Sequence, residues 1–372
     1  MCGLLSLRAH ARPGLGLYGN HLAWVPLKGM NSFACPLPNS MYDTIVLGHG
    51  GGGRLTQNLI EELFKPALNN PVLSQGHDAA IISVSNCQMA ITIDAHVVRP
   101  IFFPGGDIGK LAVCGTVNDL AMCGAKPLYL SAAFILEEGF KMADLCRVVE
   151  SVRITAKQIG VVVVAGDTKV VERGKGDGLY LVTAGLGVIE HGVEPLPKNI
   201  QVGDAIVVSG DIGRHGIAVL SGREGLNFET AVESDVDAVW PQVERLLNLG
   251  IPLHCMRDLT RGGLASTLNE LALASGKKFE IQEDLVPIIE PVKAACEILG
   301  LDPLSIACEG RFVAFMPKEF TEMAITALKE FGLNASVIGF VEEGSGGVIL
   351  RTSSGTRRIL EMPLGVELPR IC

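Results

Sequence analysis

From about residue 42 onward, short apolar runs suited to β-strands alternate with segments of helical spacing, and this mixture limits the possible folds more than any other feature. The strands and helices intermingle without a strict strand-helix-strand rhythm, which favours an α+β fold over a doubly wound sheet. A proline-containing stretch at 194–198 interrupts the pattern, and a new apolar strand begins after Gly203. A chain of 372 residues is long enough for roughly two domains. We therefore predict domains over residues 42–197 and 198–355.

Local patterns predict the individual elements. Strands at 79–84 and 89–93 would form a hairpin around Asn86. A helix capped by Asp107 should end at Gly124. The valine-rich run at 161–165 is interpreted as a fully buried strand. The other predicted elements are strands at 129–136 and 179–189 and helices at 55–64, 143–158, 216–223, 236–249, 262–274, 290–299 and 319–331.

The two ends of the chain differ from its body. Residues 1–41 contain no acidic residue and only broken apolar pairs, so we expect a disordered N-terminal extension or a start upstream of the true one. Residues 356–372 contain Pro363, Gly365 and Pro369 and are predicted to form a flexible tail that ends in Cys372. A thiol at the end of a mobile segment can be carried into a pocket and out again. An exposed cysteine without a role is the alternative.

Composition argues against several functional classes. A net charge of −9 gives no indication of a nucleic-acid-binding surface. No uncharged stretch free of proline and glycine approaches the roughly 18 residues that a membrane span needs. The ten cysteines include no C-x-x-C pair, and several lie in apolar runs. This usage indicates reduced thiols in a cytoplasmic protein rather than a zinc site.

A run of four glycines follows His49 and precedes a helical pattern; it comprises Gly50, Gly51, Gly52 and Gly53. The apolar residues Thr44–Leu47 before it are interpreted as the end of a strand. Backbone N–H groups of a glycine loop close to a helix N-terminus can surround an anion, so a phosphate-binding loop is predicted. The alternative is a flexible linker. The run does not match the Walker A motif.

Three acids occupy unusual positions. Asp78 stands at the start of an apolar strand, Asp94 at the end of another, and Asp119 follows Asn118 within the predicted helix. Polar side chains on an apolar stripe cost stability unless they have partners. Acids placed in this way indicate a magnesium site that holds nucleotide phosphates. The alternative is that Asn118 and Asp119 support a neighbouring loop.

Two other regions contain candidate residues. The valine-rich run is followed by Gly166, Asp167, Thr168 and Lys169. In an extended chain Asp167 and Lys169 point to the same side, which gives either a local ion pair or a lysine directed at a phosphate or substrate from the end of the strand. Further along the chain, Asp258 lies in a turn that opens a helix, and Glu309 stands beside Gly310. Ordinary turn chemistry is the alternative for both.

Together these motifs resemble those of the ATP-dependent synthetases that include aminoimidazole ribonucleotide synthetase, selenophosphate synthetase and thiamine-monophosphate kinase. The resemblance extends from about residue 43 to the end and rests on segments 77–80, 92–94, 118–127, 165–168 and 258–263. Within this superfamily, the glycine run, segment 213–218 and the terminal Pro-Arg-Ile-Cys are most similar to the HypE family of hydrogenase maturation proteins.

The resemblance implies a two-domain synthetase fold. Its N-terminal ATP-binding α+β domain contributes strands to a dimer sheet or barrel, and its C-terminal domain is an α/β sandwich. It also implies a carbamoyl dehydratase, a carbon-oxygen lyase, in a cytoplasmic homodimer that uses ATP and Mg²⁺. HypF would place a carbamoyl group on Cys372, and ATP-dependent dehydration would give a thiocyanate. The cyanide would then pass to iron on the HypC–HypD complex and become a ligand of the [NiFe] hydrogenase centre.

The resemblance further implies roles for single residues. Cys372 would carry the group on its sulfur, Glu309 would act as the base, and Lys169 would orient the group or stabilise charge. Mg²⁺ is expected on Asp78, Asp94, Asp119 and Asp258. ATP is expected to contact three of these acids, Asp78, Asp94 and Asp119. The other residues expected to contact ATP are His49, Gly50, Gly51, Gly52, Gly53, Asn118, Gly166, Asp167 and Thr168. The family often has a second acid where this chain has His77, so one metal ion fewer, or a differently placed one, is expected.

Two other functions remain open at the level of sequence. A selenophosphate synthetase-like enzyme would need a reactive cysteine near a lysine on an N-terminal glycine-rich loop. Cys35 has no adjacent lysine, and that function leaves Cys372 unexplained. A non-catalytic ATP-binding scaffold would bind nucleotide but would have no use for Lys169 or Glu309.

Overall fold

The computed structural model describes residues 46–64, 70–84, 87–223, 232–365, 368 and 370–372. The predicted N-terminal extension, 1–41, lies outside these ranges. Within them the helices are α1 Arg54–Leu59, α2 Ile108–Met122, α3 Met142–Ile159, α4 Arg214–Ser221, α5 Trp240–Asn248, α6 Gly263–Ser275, α7 Glu290–Leu299 and α8 Thr321–Lys329. The strands are β1 Ala80–Val84, β2 Cys87–His96, β3 Phe102–Phe103, β4 Gly106–Asp107, β5 Lys126–Glu137, β6 Val162–Val171, β7 Leu179–Ile189, β8 Asp204–Val208, β9 Cys255–Asp258, β10 Lys278–Gln282, β11 Phe312–Pro317, β12 Ser336–Glu342, β13 Gly347–Arg351 and β14 Arg357–Ile359.

The first large sheet has the strand order β1-β2-β7-β5-β6. Its neighbouring strands are antiparallel except for the parallel pair β5 and β6. β1 and β2 pair from Ala80 opposite Ile91 to Val84 opposite Cys87, which confirms the predicted hairpin. Residues of β7 alternate between buried and partly exposed, because successive side chains point to opposite faces. α2 packs against β2 and β7, and α3 packs against α2 and β6.

The prediction that residues 161–165 form a fully buried strand is wrong. Val161 is buried, but β6 begins after it and forms an edge of the sheet. Val162 and Val164 are 55% and 60% exposed. An apolar run has the same sequence pattern in a central strand and in an edge strand whose side chains remain exposed, so periodicity could not separate the two.

The second large sheet has the order β14-β13-β10-β12-β8-β11-β9. β10 and β13 are parallel, and the other neighbouring strands are antiparallel. β8, near the centre, is buried along its whole length, and α6 packs on β10 and β13. β14 lies inside the range predicted as a flexible tail, so the sheet includes Arg357–Ile359 and the C-terminal segment leaves it only afterwards.

The predicted helix beginning after Asp107 connects the two sheets. The Asp107 carboxylate accepts hydrogen bonds from the N–H groups of Gly109 and Lys110 at 2.7 and 3.2 Å, and Gly124 follows the helix at φ +69°. Every residue of α2 except Lys110 and Asp119 is buried. The helix contacts β2 and β7 on one side and β9 and α5 on the other. Polar residues on α2 therefore lie between the two sheets.

Leu47–Gly50 form a 3-10 turn, so the expected strand end directly before the glycine run is wrong at Leu47. Among the residues described, no helix combines the length and the apolar character that crossing a membrane requires.

Candidate active site

Three of the predicted acids meet between the two sheets. Asp78 precedes β1, Asp119 lies on α2 and Asp258 ends β9. One carboxylate oxygen from each lies within 4.8 Å of the others. The hydroxyl of Thr92 donates to Asp119 Oδ2 at 2.6 Å. Clustered carboxylate oxygens of this kind are the ligands that hard divalent cations such as Mg²⁺ prefer.

Burial and mutual repulsion raise the pKa values of these carboxyl groups. Burial is the main reason that the pKa of Asp78 is raised to about 6. The positive charge of Arg257 opposes this shift. Burial, and then the charges of neighbouring carboxylates, raise the pKa values of Asp119 and Asp258 well above the usual range. Asp78 Oδ2 is buried and has no hydrogen-bond partner among the described residues. A cation would supply that partner and offset the repulsion, so this donor set fits a divalent metal.

Arg257 and His77 complete the surroundings of Asp78. Arg257 Nη1 lies 2.7 Å from Asp78 Oδ1, and its Nη2 donates to the Gly76 carbonyl at 3.0 Å. His77 Nδ1 accepts from the Asp78 N–H at 2.8 Å, so its Nε2 donates to the Pro195 carbonyl at 2.6 Å. Burial lowers the pKa of His77 to about 3, which keeps the ring neutral. A guanidinium thus already balances one side of Asp78, and His77 adds no negative charge.

A small pocket beside the acids contains the C-terminal cysteine. Cys372 is partly exposed there, whereas the preceding Ile371 is buried. The pKa of the Cys372 thiol is raised by burial and by the Glu309 carboxyl group, so the thiol keeps its proton. The other residues that line the pocket are Asp94, Ala95, His96, Gly115, Asp119, Asp258, Thr260, Arg261 and Glu309.

Glu309 is the carboxyl group with the strongest influence on the Cys372 thiol. It is 3% exposed and lines the same pocket as Cys372, and its charge helps to raise the pKa of the Cys372 thiol. Its Oε1 is buried without a hydrogen-bond partner in the described part of the chain. Burial, followed by the charges of Asp258 and Asp235, raises the pKa of Glu309 well above its usual range. A carboxylate held in such a site is a strong base once it is ionised.

Asn118 has a structural part in this arrangement. Its Nδ2 donates to the carbonyls of Asp237 and Glu309 at 3.0 and 3.1 Å. Its Oδ1 accepts from the Val239 N–H at 2.9 Å. The amide is therefore engaged by backbone groups of the second domain, as the loop-support interpretation expects, and it fixes the turn that carries Glu309.

The glycine run packs against the turn at Arg261, a residue that also lines the Cys372 pocket. A side chain at Gly52, where φ is +74°, would come within 2.7 Å of the Arg261 carbonyl. The Gly52 N–H donates to Thr56 Oγ1 at 3.0 Å, and His49 Nδ1 accepts from the Val46 N–H at 3.0 Å. The first amides of α1 donate to carbonyls at 363 and 364 of the C-terminal segment. The run thus lies next to the predicted site, but the N–H groups of Gly51 and Gly52 are already bonded within the protein.

Residues 166–169 are placed elsewhere. All four lie in the middle of β6, and the Lys169 side chain is 73% exposed with its Nζ 4.0 Å from Asp167 Oδ2. The Thr168 N–H donates to the carboxylate of Asp167 at 2.8 Å. Asp167 and Lys169 do share one side of the strand, as alternation predicts. None of the four is among the residues that line the Cys372 pocket.

Sequence reasoning brought together Asp78, Asp94, Asp119, Asp258, Glu309 and Cys372, and the structure gathers them around adjoining spaces. Sequence reasoning did not identify Arg257, Arg261 or His96 as site residues. His96 follows Asp94 by two residues on β2, so period two already indicated that both point to one face. Arg257 precedes Asp258 on β9 and Arg261 follows it in the turn, but their sequence positions do not reveal that Arg257 pairs with Asp78.

The chain is similar to proteins of known type over most of its length. Residues 76–189 match the family "AIR synthase related protein, N-terminal domain", and residues 201–351 match the corresponding C-terminal domain. The carbamoyl dehydratase HypE of Azotobacter vinelandii is 47% identical over 332 residues, which cover 88% of this chain and 97% of that protein. A crystal structure of HypE in complex with ATP is 44% identical, with a TM-score of 0.75 over 88% of this chain and 100% of that one. A crystal structure of a HypE–HypF complex is 46% identical, with a TM-score of 0.78 over 82% of this chain and 99% of that one.

Proposed function

The chain belongs to the HypE family of carbamoyl dehydratases, a branch of the AIR synthase related proteins with their two-domain α+β fold, and from this premise we infer its reaction. The protein is an ATP-dependent carbamoyl dehydratase. It converts a carbamoyl group on its C-terminal cysteine to a thiocyanate, which supplies the cyanide ligand for the iron of [NiFe] hydrogenase. The observation that carries this proposal is the Cys372 thiol beside Glu309 in a pocket rimmed by carboxylates.

The chemistry needs an activated oxygen and a base. An amide oxygen is a poor leaving group, but transfer of the ATP γ-phosphoryl group to it, with loss of one N–H proton, gives an S-bound imidate phosphate and ADP. The C–O bond then breaks and releases phosphate, while the nitrogen loses its remaining proton and C≡N forms. We propose that Glu309 accepts a proton from this nitrogen, since its Oε1 is buried without a partner in the described residues.

The carboxylate cluster is proposed to hold the metal that accompanies ATP. Asp78, Asp119 and Asp258 would bind Mg²⁺, and Asp94 would complete the set from the adjoining pocket wall. When bound, Mg²⁺ offsets the negative charge of the phosphates. Arg261, which also lines this pocket, is proposed to offset charge on the cysteine side.

The proposed location of the nucleotide is a groove on the other side of Arg257. This groove is lined by Arg54, Gln57, Asn58, Gly76, His77, Arg257, Asn269, Glu270 and Leu273, together with residues 359–362. Arg257 pairs with Asp78 and also faces the groove, so phosphates lying along it would reach the carboxylate cluster. The neighbouring glycine run would contact the phosphates only after the hydrogen bonds of the Gly52 region rearrange.

We also propose that the active form is a homodimer joined through the first sheet. β6 is an edge strand, and Val162, Val163, Val164 and Val170 on it are between 41% and 67% exposed. Such an apolar edge needs a partner, because exposed backbone groups and valines pair readily with another strand. In that assembly Lys169 would act from this interface as the charge-stabilising residue. A Val164→Lys variant should shift the mass in size-exclusion light scattering from dimer to monomer.

Partners and compartment complete the proposal. A related HypE was crystallised with HypF, and we propose HypF as the carbamoyl donor of this protein. The HypC–HypD complex is the proposed cyanide acceptor, and the cytoplasm is the proposed compartment. The C-terminal cysteine would therefore have to reach protein surfaces outside its own pocket.

Intact mass tests the proposed reaction directly. In a time course with HypF, carbamoyl phosphate and ATP, Cys372 should first gain one carbamoyl group, about 43 Da, and the same adduct should then lose about 18 Da as water. The Cys372→Ala variant is the matched control and should show neither change. Absence of any adduct on wild-type Cys372 would contradict the proposal and direct attention to Cys35 and a small-molecule synthetase.

A further inference from the structure

The C-terminal residues are held in the pocket largely through their main chain. The Ile371 carbonyl accepts a hydrogen bond from His215 Nε2 at 2.8 Å. The Arg370 carbonyl accepts from the Arg99 N–H at 3.1 Å and from Arg223 Nη2 at 3.3 Å. Neither carbonyl is altered when the sulfur of Cys372 is modified. These contacts can therefore hold the segment with a free thiol and with a loaded one.

His215 makes a fully buried contact with this segment. It begins the buried face of α4, is 0% exposed, and meets Phe103 edge-on with ring centroids 5.3 Å apart. Its Nδ1 lies 2.8 Å from Ser234 Oγ, which itself accepts from the Val236 N–H at 3.0 Å. Because the only partner of Nε2 among the described residues is a carbonyl, Nε2 carries the hydrogen and the Ser234 hydroxyl donates to Nδ1. The ring is thus fixed in orientation and in tautomer.

The segment that fixes His215 also fixes the proposed base. Asp235 follows Ser234, and its Oδ2 accepts from the N–H groups of Glu309 and Gly310 at 3.2 and 3.1 Å. Two consecutive residues therefore set the direction of His215 and the position of the turn that carries Glu309. Because His215 also binds the Ile371 carbonyl, these two residues together set the position of the chain end relative to the Glu309 carboxyl group.

We infer that His215 is a positioning residue: by donating to the Ile371 carbonyl it holds the carrier cysteine against Glu309. The chemical part of this inference rests on the proposed function. Leaving the pocket breaks a buried hydrogen bond, which corresponds to about a tenfold change in the balance between docked and released states. Loss of His215 should favour every reaction that takes place outside the pocket and slow the one that takes place inside.

Thiol accessibility tests the positioning role without nucleotide or partner. We would measure the rate of Cys372 alkylation by iodoacetamide from the mass of the C-terminal peptide, which separates it from the exposed Cys87 and Cys146. His215→Ala should increase this rate about tenfold. His215→Gln, which can still present an N–H to the carbonyl, should return part of the protection. His254→Ala is the control, because that imidazole binds Asp204 in the second sheet.

A second readout separates positioning from a general loss of structure. In His215→Ala, S-carbamoylation by HypF should be as fast as in wild type or faster, whereas single-turnover dehydration should be about tenfold slower with unchanged ATP affinity. A damaged fold would lower both rates together. Should His215→Ala fail to fold, His215→Gln decides the question together with Ser234→Ala, which keeps the imidazole but removes the hydroxyl that donates to Nδ1 and accepts from the Val236 N–H.

Unchanged alkylation in the folded variants would overturn the inference. Equal dehydration rates in wild type and His215→Ala would do the same and would leave the proposed function intact. Conversely, a protein that is never carbamoylated but whose Cys372 becomes accessible in His215→Ala would refute the proposed function and keep the positioning role.

Discussion

Replacing Asp119 by asparagine should stabilise the metal-free protein while removing most of its response to Mg²⁺. The carboxylate oxygens of Asp78, Asp119 and Asp258 lie within 4.8 Å of one another. Two unit charges 4.8 Å apart repel by about 3.5 kcal/mol at an effective dielectric constant near 20. Asparagine keeps the shape of the side chain and removes its charge, so it relieves this repulsion in the folded state.

The net gain is smaller than the Coulomb figure. The raised pKa values of the three acids mean that the metal-free cluster binds protons more readily than free aspartates do, which removes part of the repulsion. The charged hydrogen bond from Thr92 to Asp119, 2.6 Å long, is weakened as well. We therefore expect the free energy of unfolding to rise by about 1–2 kcal/mol in Asp119→Asn without metal.

Thermal unfolding at pH 7.5 in EDTA and in excess Mg²⁺ measures both effects. Saturating Mg²⁺ at about a hundred times its Kd should stabilise wild type by about 2.7 kcal/mol and Asp119→Asn by much less. Asp107→Asn on the same helix is the matched control, since asparagine caps a helix as well as aspartate does. A variant that is less stable than wild type in EDTA, or that responds equally to Mg²⁺, would refute the reasoning.

Three further outcomes are expected. Cys372→Ala should abolish thiocyanate formation with ATP affinity near normal, and lost nucleotide binding measured by calorimetry would contradict the carrier role. Glu309→Gln should slow single-turnover dehydration by at least about 100-fold, because an amide cannot accept the proton, while ATP affinity changes little. His77, with its pKa lowered to about 3 in the folded state, binds a proton only after unfolding, so stability falls as pH drops below 6.5. His77→Asn should therefore gain about 2 kcal/mol relative to wild type between pH 7 and 5 in urea titrations, and parallel curves for the two proteins would contradict this.

Local sequence signals predicted the elements that depend on local physics. The Asp107 cap, the positive φ at Gly124 and the hairpin of β1 and β2 follow from turn chemistry and period two, and the structure confirms them. The burial of Val162 and Val164 depends on what lies across the sheet edge, and a strand pattern contains no information about that.

The same limit applies within the site. Acids at strand ends and on an apolar helix face indicated the cluster, because such carboxylates need a partner. The pairing of Arg257 with Asp78 joins residues 179 positions apart in the chain, and the contact of His215 with Ile371 joins residues 156 positions apart. Long-range pairs of this kind depend on the packing of the two sheets around α2, which no single segment specifies.

Adjacent positions on α2 connect the metal site to the base. Asp119 contributes to the carboxylate cluster, whereas Asn118 binds the carbonyl of Glu309. Consecutive residues of a helix differ by about 100° in direction and 1.5 Å in height, so this pair fixes the separation of the two centres more rigidly than two loops could. Because α2 is buried along nearly its whole length, the carboxylate cluster and the Glu309 turn cannot shift relative to each other without disturbing a closely packed core. The polar pair on an apolar stripe thus reflects two different needs, one for a cation and one for a backbone partner, met on neighbouring faces of one helix.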